Sequence, residues 1–506
     1  MSSPSIRKAS DDFVETPGEV FVANTELKKG AIGLTGAVMQ NITHIAPAVA
    51  AFLFTPTLVG FAGAQAPLAY LIGFVIVLAL GSSLVQLAKR FPSSGGYFTY
   101  VARTVSPRAG FLVGWVYTLY SPVVTGPFLA FLGLILEGEL ASNFGIHWFH
   151  WWMLVIVGAP LIALFGYLGV GISMKLILVV GAFEFITVFA LGLFGIFNPG
   201  DGGFTFATFN GSFDPSKLLT GAGFALAVVF TVQGLTGWEA AVPLAEETEN
   251  PRRNVPIATM ASIVIIGSML VLTIWGQVLG WGINRLSKLP GSAELPALVI
   301  AHRVWGPVWI FALIAIVTSV IGASLACQNV ATRIWFGMGR AGALPKSFGK
   351  VNPKRKTPTT AITTHLVLTL LLGLGGGFLL GPDKIFILIL GYVLVIAVIV
   401  VYVLANLGVV LYYWREQRAH FNWLLHAVFP IGTSALLIYS LFASFNPWPP
   451  LPFGLAPAIV GIWLVIGVVI LIVFKVRGNN EWMTLATQSV DERPETAEEL
   501  KHRPTI

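Results

Sequence analysis

Charge is scarce in this chain. Only 10% of its 506 residues are Asp, Glu, Lys or Arg, against roughly 25% in ordinary soluble chains, and a water-soluble fold of this size could not cover its surface with so few. A single cysteine, Cys327, excludes an intramolecular disulfide framework and a cysteine-rich metal site. Because Cys327 falls in an apolar stretch, inert packing is its expected role. The eight histidines are scattered, and no nucleotide-binding loop or metal motif occurs, so no cofactor and no metal are expected. An integral membrane enzyme would need a cluster of titratable residues near one membrane face, such as paired aspartates or several histidines, and the scattered histidines do not supply one. Residues 1–29 are polar and hold no apolar core of a cleavable leader, so the first span is expected to direct insertion.

What the chain has instead is apolar sequence, 56% of the whole. Stretches long enough for a bilayer, about 20 residues of helix, recur from Ala31 to Phe474 with short polar connections. The expectation is an all-α integral membrane protein of about twelve spans. They lie near 31–60, 64–87, 109–136, 148–169, 172–197, 218–244, 255–282, 306–336, 361–380, 385–413, 422–445 and 453–474. With the amino terminus inside, the outer loops hold only Lys217, Arg285, Lys288, Arg303 and Lys384 of the 30 lysines and arginines. That satisfies the positive-inside rule and predicts a multi-pass plasma-membrane protein with both termini cytoplasmic. The formal charge of +7 is thereby explained by orientation, and no nucleic-acid partner is expected. The tail, 475–506, contains Asp491, Glu492, Glu495, Glu498 and Glu499 and too few apolar residues for a core; a mobile tail is expected.

Two spans carry interruptions. In span 1, Gln40-Asn41-Ile42-Thr43-His44-Ile45-Ala46-Pro47 is too polar for lipid and should face protein or a water-filled cavity. Pro47 cannot donate to the Thr43 carbonyl and clashes with it, which breaks or kinks the helix. A break leaves carbonyls facing one way, suited to a cation or ammonium, and N–H groups with a positive dipole end facing the other, suited to a carboxylate. Span 6 has Gly234 and Gly237 three apart beside Gln233, Thr236, Trp238 and Glu239. If spans 1 to 5 (31–197) and 6 to 10 (218–413) form two five-helix repeats, with spans 11 and 12 (422–474) appended, the breaks correspond. Corresponding broken helices point to a binding site at the membrane midplane.

Several stretches then resemble, in chain order, the amino acid, polyamine and organocation permease superfamily. After span 2 comes Lys89-Arg90-Phe91-Pro92-Ser93-Ser94-Gly95-Gly96-Tyr97-Phe98-Thr99-Tyr100, followed by Gly110-Phe111-Leu112-Val113-Gly114-Trp115. Gly237-Trp238-Glu239 and Glu246-Glu247-Thr248-Glu249-Asn250-Pro251-Arg252-Arg253-Asn254-Val255-Pro256 are the most specific matches. Arg333-Ile334-Trp335-Phe336-Gly337-Met338-Gly339-Arg340-Ala341-Gly342-Ala343-Leu344-Pro345 and Thr357-Pro358 follow. The resemblance implies a leucine-transporter-like fold with a 5+5 inverted repeat and broken helices 1 and 6. It also implies a secondary permease, not an enzyme, for amino acids or related amines and polyamines. Two departures stand out. His44-Ile45-Ala46-Pro47-Ala48 replaces a small glycine-rich triplet, and Gln233 and Leu235 stand where aromatic gates are often found.

The substrate cavity is expected to take Asn41, His44, Ile45, Ala46 and Ala48 from span 1, Gln233, Thr236, Gly237 and Trp238 from span 6, and Tyr120 from span 3. Helical spacing places Asn41, His44 and Ala48 on one face. Weaker candidates are Tyr117, Ser121, Thr318, Ser319, Ser324 and Tyr392. His44 is expected to bind substrate or to titrate, the alternative being a neutral histidine held by a backbone carbonyl. Lys175 and Arg333 are expected to snorkel to water. Glu184 and Glu239 are the costly charges, and burial penalises an ionised carboxylate, which makes proton exchange chemically available. By resemblance to proton-coupled relatives Glu184 is the cation-replacing group; Glu239 is either a sensor or a structural anchor. The expected partners are a small amino acid or amine, protons and the lipid bilayer. The alternatives are a sodium-coupled symporter, with Thr318 and Ser319 as ligands, an exchanger, a receptor or a channel.

Overall fold

Backbone amides find no water in hydrocarbon, so a chain this apolar must satisfy them within helices or a closed barrel. Residues 26–210, 223–289 and 295–489, which the computed structural model describes, are helical almost throughout. The one isolated extended pairing among the described residues joins Ile32 to Thr248. Residues 1–25, Lys217 and the beginning of the expected span 6, and Asp491, Glu492, Glu495, Glu498 and Glu499 of the tail lie outside the described residues.

Among the described residues, eleven helices are long and apolar enough to cross a membrane. A further apolar helix, Gly223–Gly234, is shorter because it is the described half of the interrupted span 6. The chain is therefore an all-α, multi-pass membrane protein. Span 1 begins at Leu34–Ile45, and spans 2 to 5 are Ala66–Arg90, Pro107–Phe144, Trp151–Leu168 and Val170–Phe197. Spans 7 to 12 are Pro251–Trp281, Ile310–Arg340, Thr359–Leu380, Pro382–Arg415, Leu424–Ser444 and Phe453–Val476. Burial sorts them by position. Leu34–Leu53 is 78% buried, which puts span 1 at the centre of the bundle, whereas Phe453–Val476 is 11% buried and presents Ile462, Val465 and Val469 outward, as a lipid-facing helix should.

Span 1 reaches the centre because its neighbours are small where it passes. A Cβ on Gly181 of span 5 would come within 2.6 Å of Thr43 Oγ1, and one on Gly322 of span 8 within 2.5 Å of Thr43 Cγ2. Glycine at these positions lets helices approach closely in the absence of a strong hydrophobic drive between them.

Some features were not expected from the sequence. Span 3 is not continuous: Pro107–Tyr117 stops, Thr118 to Tyr120 turn, and Ser121–Phe144 resumes. A separate helix, Pro296–Trp305, precedes span 8, and π-helical turns interrupt spans 9 and 10 at Leu371–Gly376 and Ile387–Val393. The first part of the tail is also folded, unlike the expected mobile segment. Glu481–Ala486 is helical, and its buried Trp482 packs on Phe111 at 5.8 Å and Phe474 at 5.9 Å between ring centroids.

Candidate functional site

The break in span 1 lies at Ala46, which adopts a left-handed conformation, φ 58°. Pro47 cannot donate the next helical hydrogen bond, and the last turn closes with Ala46 N–H donating to Thr43 O at 3.1 Å. The helix resumes with Ala50 N–H donating to Ala46 O at 2.8 Å. Two N–H groups at the new start are taken by side chains from other spans. Ala48 N–H donates to Glu184 Oε1 at 2.8 Å, and Val49 N–H to Ser319 Oγ at 3.4 Å.

Span 6 stops at Gly234 and turns through Gly237, φ 118°, a value that L side chains avoid. A Cβ at Gly237 would lie 2.3 Å from His44 Nδ1 and 3.1 Å from Ile45 N, so the two breaks are pressed together. Asn41 stitches them, its Oδ1 accepting from Ala241 N–H at 2.6 Å and its amide donating to Ser262 Oγ at 3.2 Å. Glu239 follows the break, fully buried, with Oε1 accepting from the Tyr402 hydroxyl at 2.7 Å.

Between the breaks is a cavity of about 50 Å³. Its polar lining includes His44, Gln233, Thr236 and Tyr120, whose ring meets the His44 imidazole edge-on at 5.7 Å. His44 Nε2 lies 3.2 Å from Ser121 Oγ and 3.5 Å from Cys327 Sγ. The Gln233 amide donates to the Leu390 carbonyl of span 10, one of the residues in the π-helical turn. The apolar part of the lining includes Val49, Phe54, Val124, Phe128, Leu390 and Leu394.

Of the residues expected in the cavity, His44, Ile45, Gln233, Thr236 and Tyr120 line it. Asn41 does not, because its amide is consumed in holding the two breaks. Ala46 and Ala48 do not, because the left-handed turn at Ala46 ends the helix after Ile45 and removes Ala48 from the face shared by Asn41 and His44. Among the N–H groups freed by the break, which were expected to suit a carboxylate, that of Ala48 is occupied by one from the chain itself, Glu184. Gly237 packs on His44 behind the cavity, and Trp238 is turned away against Tyr402 at 5.5 Å. Cys327, expected to be packing alone, is a wall residue. Nothing in an apolar helix marks it as one, although Pro122, two residues after Tyr120, is a signal for the turn that brings Tyr120 and Ser121 to His44.

Among the weaker candidates, Tyr117 packs on Tyr120 at 4.8 Å, and Tyr392 lies apart, stacked on Phe453 at 5.6 Å. Thr318 Oγ1 donates to carbonyls of its own helix, Ile314 O at 2.9 Å and Ala315 O at 3.1 Å. Ser324 is buried without a hydrogen-bond partner. Arg333 does not snorkel. It is 1% exposed, donating Nε to Glu247 Oε2 at 2.7 Å and Nη2 to Glu247 Oε1 at 3.1 Å. Arg340 donates to both oxygens of Glu246, at 2.8 and 2.5 Å, while Ser94 N–H donates to Glu246 Oε1 at 2.9 Å. The paired glutamates after span 6 are thus bound to the paired arginines at the end of span 8, and Ile32 adds backbone bonds to Glu247 and Glu249.

These features agree with the comparison to known proteins. The low-affinity putrescine importer PlaP of Escherichia coli is 25% identical over 67% of this chain and 73% of its own length. The serine/threonine exchanger SteT of Bacillus subtilis is 23% identical over 70% and 76%. The L-methionine/branched-chain amino acid exporter YjeH of Escherichia coli is 25% identical over 61% and 68%. These relatives are transporters and not enzymes. The amino acid permease family matches residues 36–484, nearly the whole of the described chain, and this chain is a member of that family, within the amino acid, polyamine and organocation superfamily.

Proposed function

We propose that the chain is a secondary active transporter that carries an amino acid or related amine across the plasma membrane by alternating access, driven by protons. One observation carries the reading: Glu184 is hydrogen-bonded to the backbone of the break that forms the cavity, through Ala48 N–H at 2.8 Å. Its second oxygen is buried without a partner. Protonation neutralises the carboxylate and weakens a charge-assisted bond, so loading a proton changes what holds the upper half of span 1. Span 1 in turn bounds the substrate cavity through His44, Ile45 and Val49.

A sodium-coupled version is less well supported. Of the hydroxyls expected as ligands, that of Ser319 already accepts from Val49 N–H, and the ionisable carboxyl of Glu184 meets the same break. The positive-inside rule supports a cytoplasmic position for the end of the bundle that carries Arg340 and Lys346, and on that reading the Glu246–Arg340 and Glu247–Arg333 pairs act as a closed inner gate.

Uptake in proteoliposomes tests the coupling. A pH gradient should drive accumulation, replacing sodium with choline should leave it unchanged, and Glu184→Gln should reduce gradient-driven uptake at least tenfold, by about 1.4 kcal/mol of coupling or more, while counterflow persists. Accumulation by the variant that still follows the pH gradient removes Glu184 from the mechanism.

A further inference from the structure

A second cavity, of about 870 Å³, opens where span 8 gives way to the loop before span 9. Its size is in the range of small-molecule sites, roughly 300–1,000 Å³, and it shares no lining residue with the cavity between the two breaks. Three elements build it: the stretch 339–350, the end of span 12 with Ile470 and Phe474, and the helix Glu481–Ala486. Buried Trp482 fixes the third element by packing on Phe111 and Phe474.

The lining combines positive charge with apolar surface. Arg340 is engaged with Glu246 and Ser94. The side chains of Lys346 and Lys350 are exposed and have no ion-pair partner among the described residues, and Glu481 is the one carboxylate of the lining among them. Ile470 and Phe474 continue a stripe that starts at Ile466, because residues four apart share a helix face. Ile466 is exposed, on the helix already identified as lipid-facing.

We propose that this cavity binds an anionic phospholipid, its phosphodiester paired with Lys346 and Lys350 and an acyl chain lying along Phe474, Ile470 and Ile466. A compact ammonium is a good partner for phosphate, and basic side chains at a membrane surface attract anionic lipids additively. A zwitterionic headgroup brings its own cation beside the lysines and forfeits that attraction. A soluble anion satisfies the lysines but leaves the apolar stripe uncovered. The positive-inside rule supports a cytoplasmic position for this end of the bundle, facing the leaflet whose surface is negative. Arg340 lines the same cavity while holding Glu246, so the bound lipid borders the pair that links the segment after span 6 to span 8.

Native mass spectrometry of the full chain in a nonionic detergent, titrated with dioleoylphosphatidylglycerol, dioleoylphosphatidylcholine or glycerol 1-phosphate, tests the site. Phosphatidylglycerol should bind in preference to both others. Lys346→Gln with Lys350→Gln should weaken it at least about tenfold, and Glu481→Gln should strengthen it about fivefold. All three side chains are exposed, and surface substitutions of this kind leave stability nearly unchanged. Equal binding of the two lipids, or an unchanged affinity in the lysine variant, overturns the proposal. Competition by glycerol 1-phosphate at the concentration at which the lipid binds would make this a site for a free anion and overturns it too. So would phosphatidylglycerol binding that appears only once Asp491, Glu492, Glu495, Glu498 and Glu499 are replaced by amides, which would give the cavity to the acidic tail.

Discussion

At the scale of single residues, two positions hold the two breaks together. Gly237 has a backbone conformation that costs an L residue about 1–3 kcal/mol, and its missing Cβ leaves space filled by His44 Nδ1. Gly237→Ala should therefore destabilise the protein by about 2–6 kcal/mol when overpacking of about 1–3 kcal/mol is added to the strain. Thermal unfolding in detergent measures this, and a variant as stable as the parent would mean that the breaks separate without cost. Glu184 was legible in the sequence as a costly charge in mid-span. Its partner was not, because the Ala48 N–H becomes available only through the left-handed turn at Ala46. Asn41 shows the opposite failure. Its spacing from His44 suggested a shared face on the cavity, but an amide with both donor and acceptor capacity was drawn into bridging Ala241 and Ser262.

At the scale of elements, the interruptions of spans 1 and 6 were legible because proline and glycine change backbone chemistry directly. The apolar lining was not. Val124, Phe128, Leu390 and Leu394 face a cavity, while Val465 and Val469 face outward, and side chains of this kind read alike because lipid and protein interior are equally apolar. The π-helical turn at Ile387–Val393, which includes the Gln233 acceptor Leu390, likewise has no signature in its run of aliphatic residues. The charged motifs became intelligible only as pairs joining elements: the segment after span 6 is fixed to the end of span 8 by Glu247 and Arg333. Removing one partner strands the other in the interior, so Glu247→Ala should cost about 3–5 kcal/mol, whereas Arg333→Met with Glu247→Leu should recover most of that loss. Unfolding temperatures of the single and double variants provide the comparison, and equal losses in both would show that the charges themselves are not what matters.

At the scale of the whole molecule, the bundle is organised around spans 1 and 3, each 78% buried, with span 12 at the periphery and the helix that includes Trp482 folded back onto Phe111 of span 3. The distribution of lysine and arginine predicts that both termini lie on the cytoplasmic side. Reporters that fluoresce only in the cytoplasm, fused separately to each end, should both be bright, and a dark fusion at either end would reverse the orientation of the inner gate. The position of Cys327 has a practical consequence at this scale. It is the only thiol in 506 residues, it is buried, and it sits 3.5 Å from His44 in the wall of the cavity. The unaltered protein therefore contains its own attachment point for a sulfur-directed label. The rate at which that label attaches, slowed by any solute that fills the space in front of it, times the opening of the passage without a single engineered change.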